Sequence, residues 1–204
     1  EIRAMHERDS IAAVEYDKAV KAQKAKENAE ALKQIEAATD STTLFYTHRT
    51  GEAKNIVLQN ELVKLTFGTR GGNVKKAELK NYKNQQGEPV VLFDEKDADM
   101  QFMLAGKSEN IISGDYFFTP VNVTDSTVTM RLQNAAGCTL DFNYRLRPQS
   151  YMVDFTVETA GLGNHFAPSM KTMDVVWKDM ARQQEKGFDF ESRYSSLTYK
   201  IKDE

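Results

Sequence analysis

From Asn55 onward apolar and polar side chains alternate again and again, and this period of two constrains the fold more than any other feature of the 204-residue chain. Val63, Leu65 and Phe67 alternate with Lys64 and Thr66, and Val128, Met130 and Leu132 alternate with Thr129 and Arg131. Cys138, Leu140, Phe142, Tyr144 and Leu146 alternate with Thr139, Asp141, Asn143 and Arg145. Successive side chains of a strand point to opposite faces, so each row predicts a strand with one oily and one wet face. Tyr151, Val153, Phe155 and Val157 resume the pattern after Pro148-Gln149-Ser150, a turn of hairpin length, and Met173, Val175 and Trp177 form a further row. Strands wet on one face are expected to make antiparallel sheets packed face to face, a β-sandwich, because parallel strands need helices over both faces. In this register Cys138 is expected to be a small buried core residue, with Phe142 and Phe155 enclosed.

Residues 1–38 follow a different logic. They hold no Gly or Pro and are dominated by Ala, Glu, Lys and Gln, the residues that lose least on entering a helix. Glu15 with Lys18, Asp17 with Lys21 and Glu30 with Lys33 sit three or four apart, acid first, and each such pair adds about 0.3 kcal/mol. The apolar stripe of Met5, Ala12, Tyr16, Ala19, Leu32 and Ile35 is too thin for a strong coiled-coil seam. A helix of that length would run about 57 Å at ~1.5 Å per residue, against a radius of gyration of about 17 Å for a globule of this size. It must project, break or lie along the outside. Seven basic against eight acidic residues argue against a basic membrane-surface helix. Thr39, Asp40, Ser41 and Thr42 break the pattern by competing for backbone hydrogen bonds. The expected division is therefore a helical linker or spacer over residues 1–40 and a β domain over 41–204.

Composition excludes several function classes. With 27 Lys and Arg against 30 Asp and Glu the net charge is -3, so no basic field exists to attract a nucleic-acid backbone. The single cysteine cannot close an intramolecular disulfide or supply a thiolate zinc site. No run approaches the ~20 apolar residues of a membrane-spanning helix. The chain starts without Met or a signal peptide and reads as a fragment whose targeting information lies outside it.

Chemistry has little positive signal. Gly68-Thr69-Arg70-Gly71-Gly72 matches neither a dinucleotide fingerprint nor a phosphate loop, and is expected to be a tight turn or bulge that needs positive φ. His6, His48 and His165 lack metal-ligand spacing, and no serine lies in a nucleophile elbow. Glu158 and His165 could approach one another, although a solvated strand end accounts for both. Trp177 with Tyr116, Phe117 and Phe118 could form a sugar-stacking platform, but aromatics at alternating strand positions are more often core. Asn122-Val123-Thr124 is a glycosylation sequon of a kind that arises by chance. Arg182 to Lys186 reads as a polar surface segment, a short helix or flap ended by Gly187.

One stretch is recognisable. Asn60-Glu61-Leu62-Val63-Lys64-Leu65-Thr66-Phe67-Gly68-Thr69-Arg70-Gly71-Gly72-Asn73-Val74, then Leu79-Lys80-Asn81-Tyr82 and Pro89-Val90-Val91-Leu92-Phe93, resembles the start of the large periplasmic domain of the YidC family of bacterial membrane protein insertases. The preceding Ala-rich helix resembles the segment after the first transmembrane helix in Bacteroidetes-type members. The resemblance covers about residues 55 to 200. It implies an antiparallel β-supersandwich, galactose-mutarotase-like, with an N-terminal helical extension, on the periplasmic side of an inner membrane protein. It further implies nascent membrane proteins and the Sec translocon, SecYEG and SecDF, as partners of the full-length protein, no nucleic acid, and anchoring through segments not in this chain. The family inserts clients through a hydrophilic groove among five transmembrane helices, so the resemblance assigns this chain no catalytic, cofactor-binding or metal-ligating residue. The family domain also continues past the position of Glu204 into further strand and a helical segment. The His and Glu arrangement of a mutarotase is missing, which separates the shared fold from that activity.

Three functions are carried forward: the insertase domain, placed first by the match at residues 60 to 93; a carbohydrate-binding or mutarotase-like sandwich; and a free-standing periplasmic chaperone or adaptor that binds through its N-terminal helix.

Overall fold

A computed structural model describes residues 43–184, 186–194, 196 and 198. The chain divides into two compact units, Glu1–Tyr46 and Thr47–Glu204. The expected helix over residues 1–38 lies outside the described residues. The second unit is built from antiparallel strands, as the alternation predicts.

Its first sheet contains β1 (Asn55–Gln59), β2 (Val63–Gly68), β3 (Val74–Lys83) and β4 (Pro89–Phe93), hydrogen-bonded in that order. A second sheet orders β10 (Val153–Ala160), β9 (Thr139–Leu146), β8 (Thr127–Gln133) and β7 (Thr119–Val121). The third places β5 (Ala98–Leu104) between β11 (Asp174–Asp179) and the two-residue β6 (Ile111–Ile112). A short helix, α1 (Phe188–Arg193), follows.

The rows read from the sequence supply the core. Val63, Leu65 and Phe67 of β2 are buried, as are Val128, Met130 and Leu132 of β8 and Leu140, Phe142, Tyr144 and Leu146 of β9. The sheets meet through their aromatic rings. Phe142 lies 4.9 Å from Phe102 of β5 and 4.9 Å from Phe118, while Tyr144 lies 4.7 Å from Phe67 across the sandwich. Such tilted and offset pairs add to the burial itself. Asp141 is buried on β9 and faces Arg131 of β8, which donates two hydrogen bonds to it at 2.8 and 2.6 Å. The bidentate pair compensates the desolvated carboxylate.

Turn chemistry places the strands. Gly71 and Gly72 adopt φ of +84° and +61°, which carries the chain from β2 into β3, and the β2–β3 register shifts between Thr66 and Phe67. The β9–β10 hairpin turns at Pro148-Gln149-Ser150, with Gln149 at φ +50°. Asn60, in the β1–β2 turn, ties that turn to the β9–β10 tip. Its amide nitrogen donates to the carbonyls of Arg147 (2.9 Å) and Ser150 (2.7 Å), while its side-chain oxygen accepts from the N–H groups of Leu62 (2.8 Å) and Val63 (3.0 Å).

Four expectations need correction. Cys138 is half-buried rather than core, because β9 begins one residue later and the thiol faces the Gly161 carbonyl at 3.4 Å. Phe155 is half-buried, since it sits on an edge strand whose inner face borders an open cleft. The Met173, Val175, Trp177 row is no core face: every residue of β11 is exposed. Finally, Arg182–Gln184 forms an irregular strap, and Gly187 precedes a helix instead of ending one. Arg182 pairs with Asp94 at 2.6 Å and with Asp97, and those contacts hold the strap against the β4–β5 connection.

Candidate functional site

A mostly apolar concave feature follows from how the sheets end. β10 and β11 are both edge strands among the described residues, and neither closes the sandwich over the inner face of β2, β3 and β4. The result is a cleft of about 370 Å³ whose walls include Leu65 and Phe67 of β2, Leu79 of β3, Phe93 of β4, Phe155 of β10 and Trp177 of β11. Among the described residues no charged side chain lines it. Trp177 stands at the rim, 55% exposed, with its ring edge-on to Phe93 at 5.8 Å.

The polar atoms of the cleft are few and mostly engaged. Tyr144 donates its hydroxyl to the Gly72 carbonyl at 2.9 Å, and burial raises its phenol well above the usual range, so the group is a fixed donor and not a proton carrier. At the rim Tyr151 is 46% exposed, and lost hydration raises its phenol, with Tyr82 beside it acting in the same direction. The arrangement can take up an apolar chain or ring.

The histidines and aromatics singled out by sequence are dispersed. His48 clamps two backbone segments: Nδ1 lies 2.8 Å from the Phe117 carbonyl and Nε2 lies 3.0 Å from the Gln133 carbonyl, with the Gln133 N–H at 3.2 Å from the same nitrogen. His6 lies outside the described residues. His165 and Glu158 are both exposed, and no hydrogen bond or ion pair joins them. Tyr116 and Phe118 are buried in the core, so they share no platform with Trp177, while Phe117 packs against the Arg70 guanidinium at 5.8 Å. Asn122 occupies an exposed turn at φ +52°, closed by Thr124 and Thr127, whose hydroxyls lie 2.7 Å apart.

Two polar clusters lie outside the cleft. Arg49 donates to Glu109 and to the Tyr116 hydroxyl, each at 3.3 Å, and its guanidinium sits 5.1 Å from the Tyr116 ring centre. Burial raises the Tyr116 phenol. Lys75 on β3 is held below the usual lysine range by burial, against the pull of Asp99 and Glu95. Among the described residues no three His, Cys, Asp or Glu side chains gather as a metal site, and no helix is long and apolar enough to cross a membrane.

The cleft itself escaped the sequence, because alternation reports that a strand has two faces and not which sheet covers them. The one available signal was β11, where Val175, Val176 and Trp177 place apolar residues on both faces of a single strand.

Comparison with known proteins sets this architecture in context. The model of the YidC periplasmic domain family matches residues 55–204. A membrane protein insertase YidC from Phocaeicola vulgatus is 48% identical over 201 residues, covering 97% of this chain and 32% of that protein. The one from Bacteroides fragilis is 40% identical, covering 94% of this chain and 31% of its own length. The chain thus spans about a third of these relatives. Among solved structures, a galactose mutarotase-like protein from Lactobacillus casei aligns with a TM-score of 0.35 and 22% identity, over 51% of this chain and 44% of that one.

Proposed function

The chain belongs to the YidC periplasmic domain family, and from that membership we propose that it is the extracytoplasmic domain of a membrane protein insertase. In this reading it performs no chemical step. It contributes partner contact or structural support, while the whole protein, anchored in the inner membrane by segments outside this chain, inserts and helps fold nascent membrane proteins. The Sec translocon components SecYEG and SecDF are the proposed partners, residues 1–40 the spacer that follows a transmembrane helix, and residues 41–204 the periplasmic sandwich.

One observation carries the reading. The family match begins at Asn55, the first residue of β1, so what is matched is the sheet-built body itself. A cleft with no charged side chain among its described lining residues agrees with a docking role, since sugar recognition needs polar groups placed around the ring hydroxyls.

The test uses the parent insertase in cells depleted of their own copy. Removing residues 47–204 and rejoining the flanks should lower co-purification of SecDF and SecYEG while leaving residual insertion of a test membrane protein. Unchanged co-purification together with full-rate insertion would overturn the proposal. Titration of the isolated chain with monosaccharides should be flat, and saturable binding with catalysed anomer exchange would favour the mutarotase-like reading instead.

A further inference from the structure

We propose that the outer face of the first sheet docks on the headgroups of an anionic phospholipid surface, through Lys64 of β2 and Lys76 and Lys80 of β3. The proposal rests on the insertase reading only for the nearness of a bilayer, and every residue it invokes is described.

The first ground is the alternation. Val63, Leu65 and Phe67 of β2 are buried, as is Ala77 of β3, which turns Lys64 and Thr66, and Lys76, Glu78 and Lys80, to the other side of the sheet. The register joins these residues into one field, with Lys64 opposite Glu78 and Thr66 opposite Lys76. Directly opposed side chains start about 5 Å apart, and those two residues along a strand about 7 Å apart. Glu78 therefore has one lysine across from it and one on either side.

The second ground is charge. Three ammonium groups surround a single carboxylate, on a chain whose net charge is -3. Lys76 donates to Glu78 at 2.9 Å, and that hydrogen bond, followed by the charges of Lys76, Lys64 and Lys80, holds the Glu78 carboxyl below its ordinary value against the opposing effect of burial. The other two lysines keep their charge unmatched: Lys80 donates to the Asn60 carbonyl at 2.6 Å, and among the described residues Lys64 has no carboxylate within ion-pair reach. On the second sheet the comparable Arg131 is matched by Asp141. The first sheet thus turns an excess of positive charge to one side of an acidic chain.

The third ground selects the occupant. The lysines stand among small β-branched residues: Val57 of β1, 41% exposed, pairs with Thr66, and Val91 of β4 pairs with Glu78. Protein interfaces draw most of their energy from aromatic side chains and arginine, and are depleted in lysine. A lysine ammonium is a strongly hydrated point charge on a flexible stem, which suits a layer of mobile phosphates better than one fixed partner. The stem covers the β-branched floor while the charge reaches outward.

Flotation of the 204-residue chain at low salt tests this, with vesicles of phosphatidylcholine alone and of phosphatidylcholine mixed with phosphatidylglycerol. The chain should float with the anionic vesicles and not with the neutral ones, and should be released at about 1 M salt, where screening acts within about 3 Å. Lys64→Gln and Lys80→Gln should each weaken the partition about fivefold, the worth of one basic residue at an anionic surface. Glu78→Gln should strengthen it by about the same factor, a gain that lost folding cannot imitate. Lys178→Gln, on the exposed β11 of the third sheet, should leave it unchanged. Flotation that is absent, or equal with neutral and anionic vesicles, would overturn the proposal, as would an unaltered partition in Lys64→Gln and Lys80→Gln. Capture by immobilised polyglutamate without flotation on either vesicle would assign the face to an acidic protein and overturn it too. None of these results bears on the insertase reading, which stands or falls on co-purification with SecDF and SecYEG.

Discussion

The hydroxyl of Tyr144 on β9 donates to the carbonyl of Gly72, 2.9 Å away in the turn between β2 and β3, and so joins two sheets through a single buried bond. Tyr144 also stacks on Phe155 at 4.8 Å, so ring and hydroxyl serve different partners. Replacing Tyr144 by Phe keeps the ring and strips the Gly72 carbonyl of its donor. The expected loss is about 1–3 kcal/mol, the cost of a buried group left unpaired, read from the midpoint of urea unfolding. An unmoved midpoint would show that water takes over the bond.

Phe142 and Phe155 should part company in an alanine scan. Phe142 is fully buried and touches the rings of Phe102, Phe118 and Phe155. Its removal should cost about 3–5 kcal/mol through lost transfer and the cavity left behind. Phe155 opens onto the cleft and should cost distinctly less, because solvent already reaches its side. Equal losses in chemical unfolding would mean that the cleft is closed in solution.

Gly72 and Gly87 separate backbone strain from crowding. Both have positive φ, +61° and +82°, but an alanine methyl at Gly72 would lie 2.8 Å from the Phe118 ring, whereas nothing lies within 4 Å at Gly87. Gly72→Ala should destabilise by more than about 1 kcal/mol, and Gly87→Ala by clearly less, since only the conformational penalty applies there. Comparable thermal unfolding of the two variants would contradict the packing of Phe118 against that turn.

Stability should fall in acid. The backbone N–H of Lys96, with Arg182, holds the Asp94 carboxyl below its ordinary value of 3.8; Lys76 does the same for Glu78, ordinarily 4.5, and Arg147 for Asp154. Each folded pKa is depressed, so the contribution is complete above the unfolded values and is lost as pH drops from about 4.5 through the lower folded ones. Unfolding curves taken down this range should show a falling midpoint. Asp94→Asn should flatten part of the slope, and an identical slope in that variant would remove Asp94 from the account.

The strands of the core were legible because their instructions are local. Val63 to Phe67, Val128 to Leu132 and Leu140 to Leu146 each state which side chains go inward, and a sheet needs little else to place them. What the pattern could not convey was coverage. Trp177 alternates as convincingly as Phe142, yet one ring is enclosed by two sheets and the other stands at an edge. The strap at Arg182 was opaque for a related reason: a polar run suits a short helix, but its conformation follows from Asp94 and Asp97, more than eighty positions away. Cys138 shows the limit at a strand end, where the register persists for one residue after the neighbouring strand has stopped shielding it.

The Asn60 corner has a mechanical consequence. Both donors and both acceptor positions of one planar amide are engaged, two with its own turn and two with the β9–β10 tip. An aspartate would turn a carboxylate oxygen toward two carbonyls, and a leucine would forfeit all four contacts, so neither isostere can stand in. The ends of two hairpins drawn from different sheets are thereby bolted at a single joint, and any bending of this body must take place elsewhere.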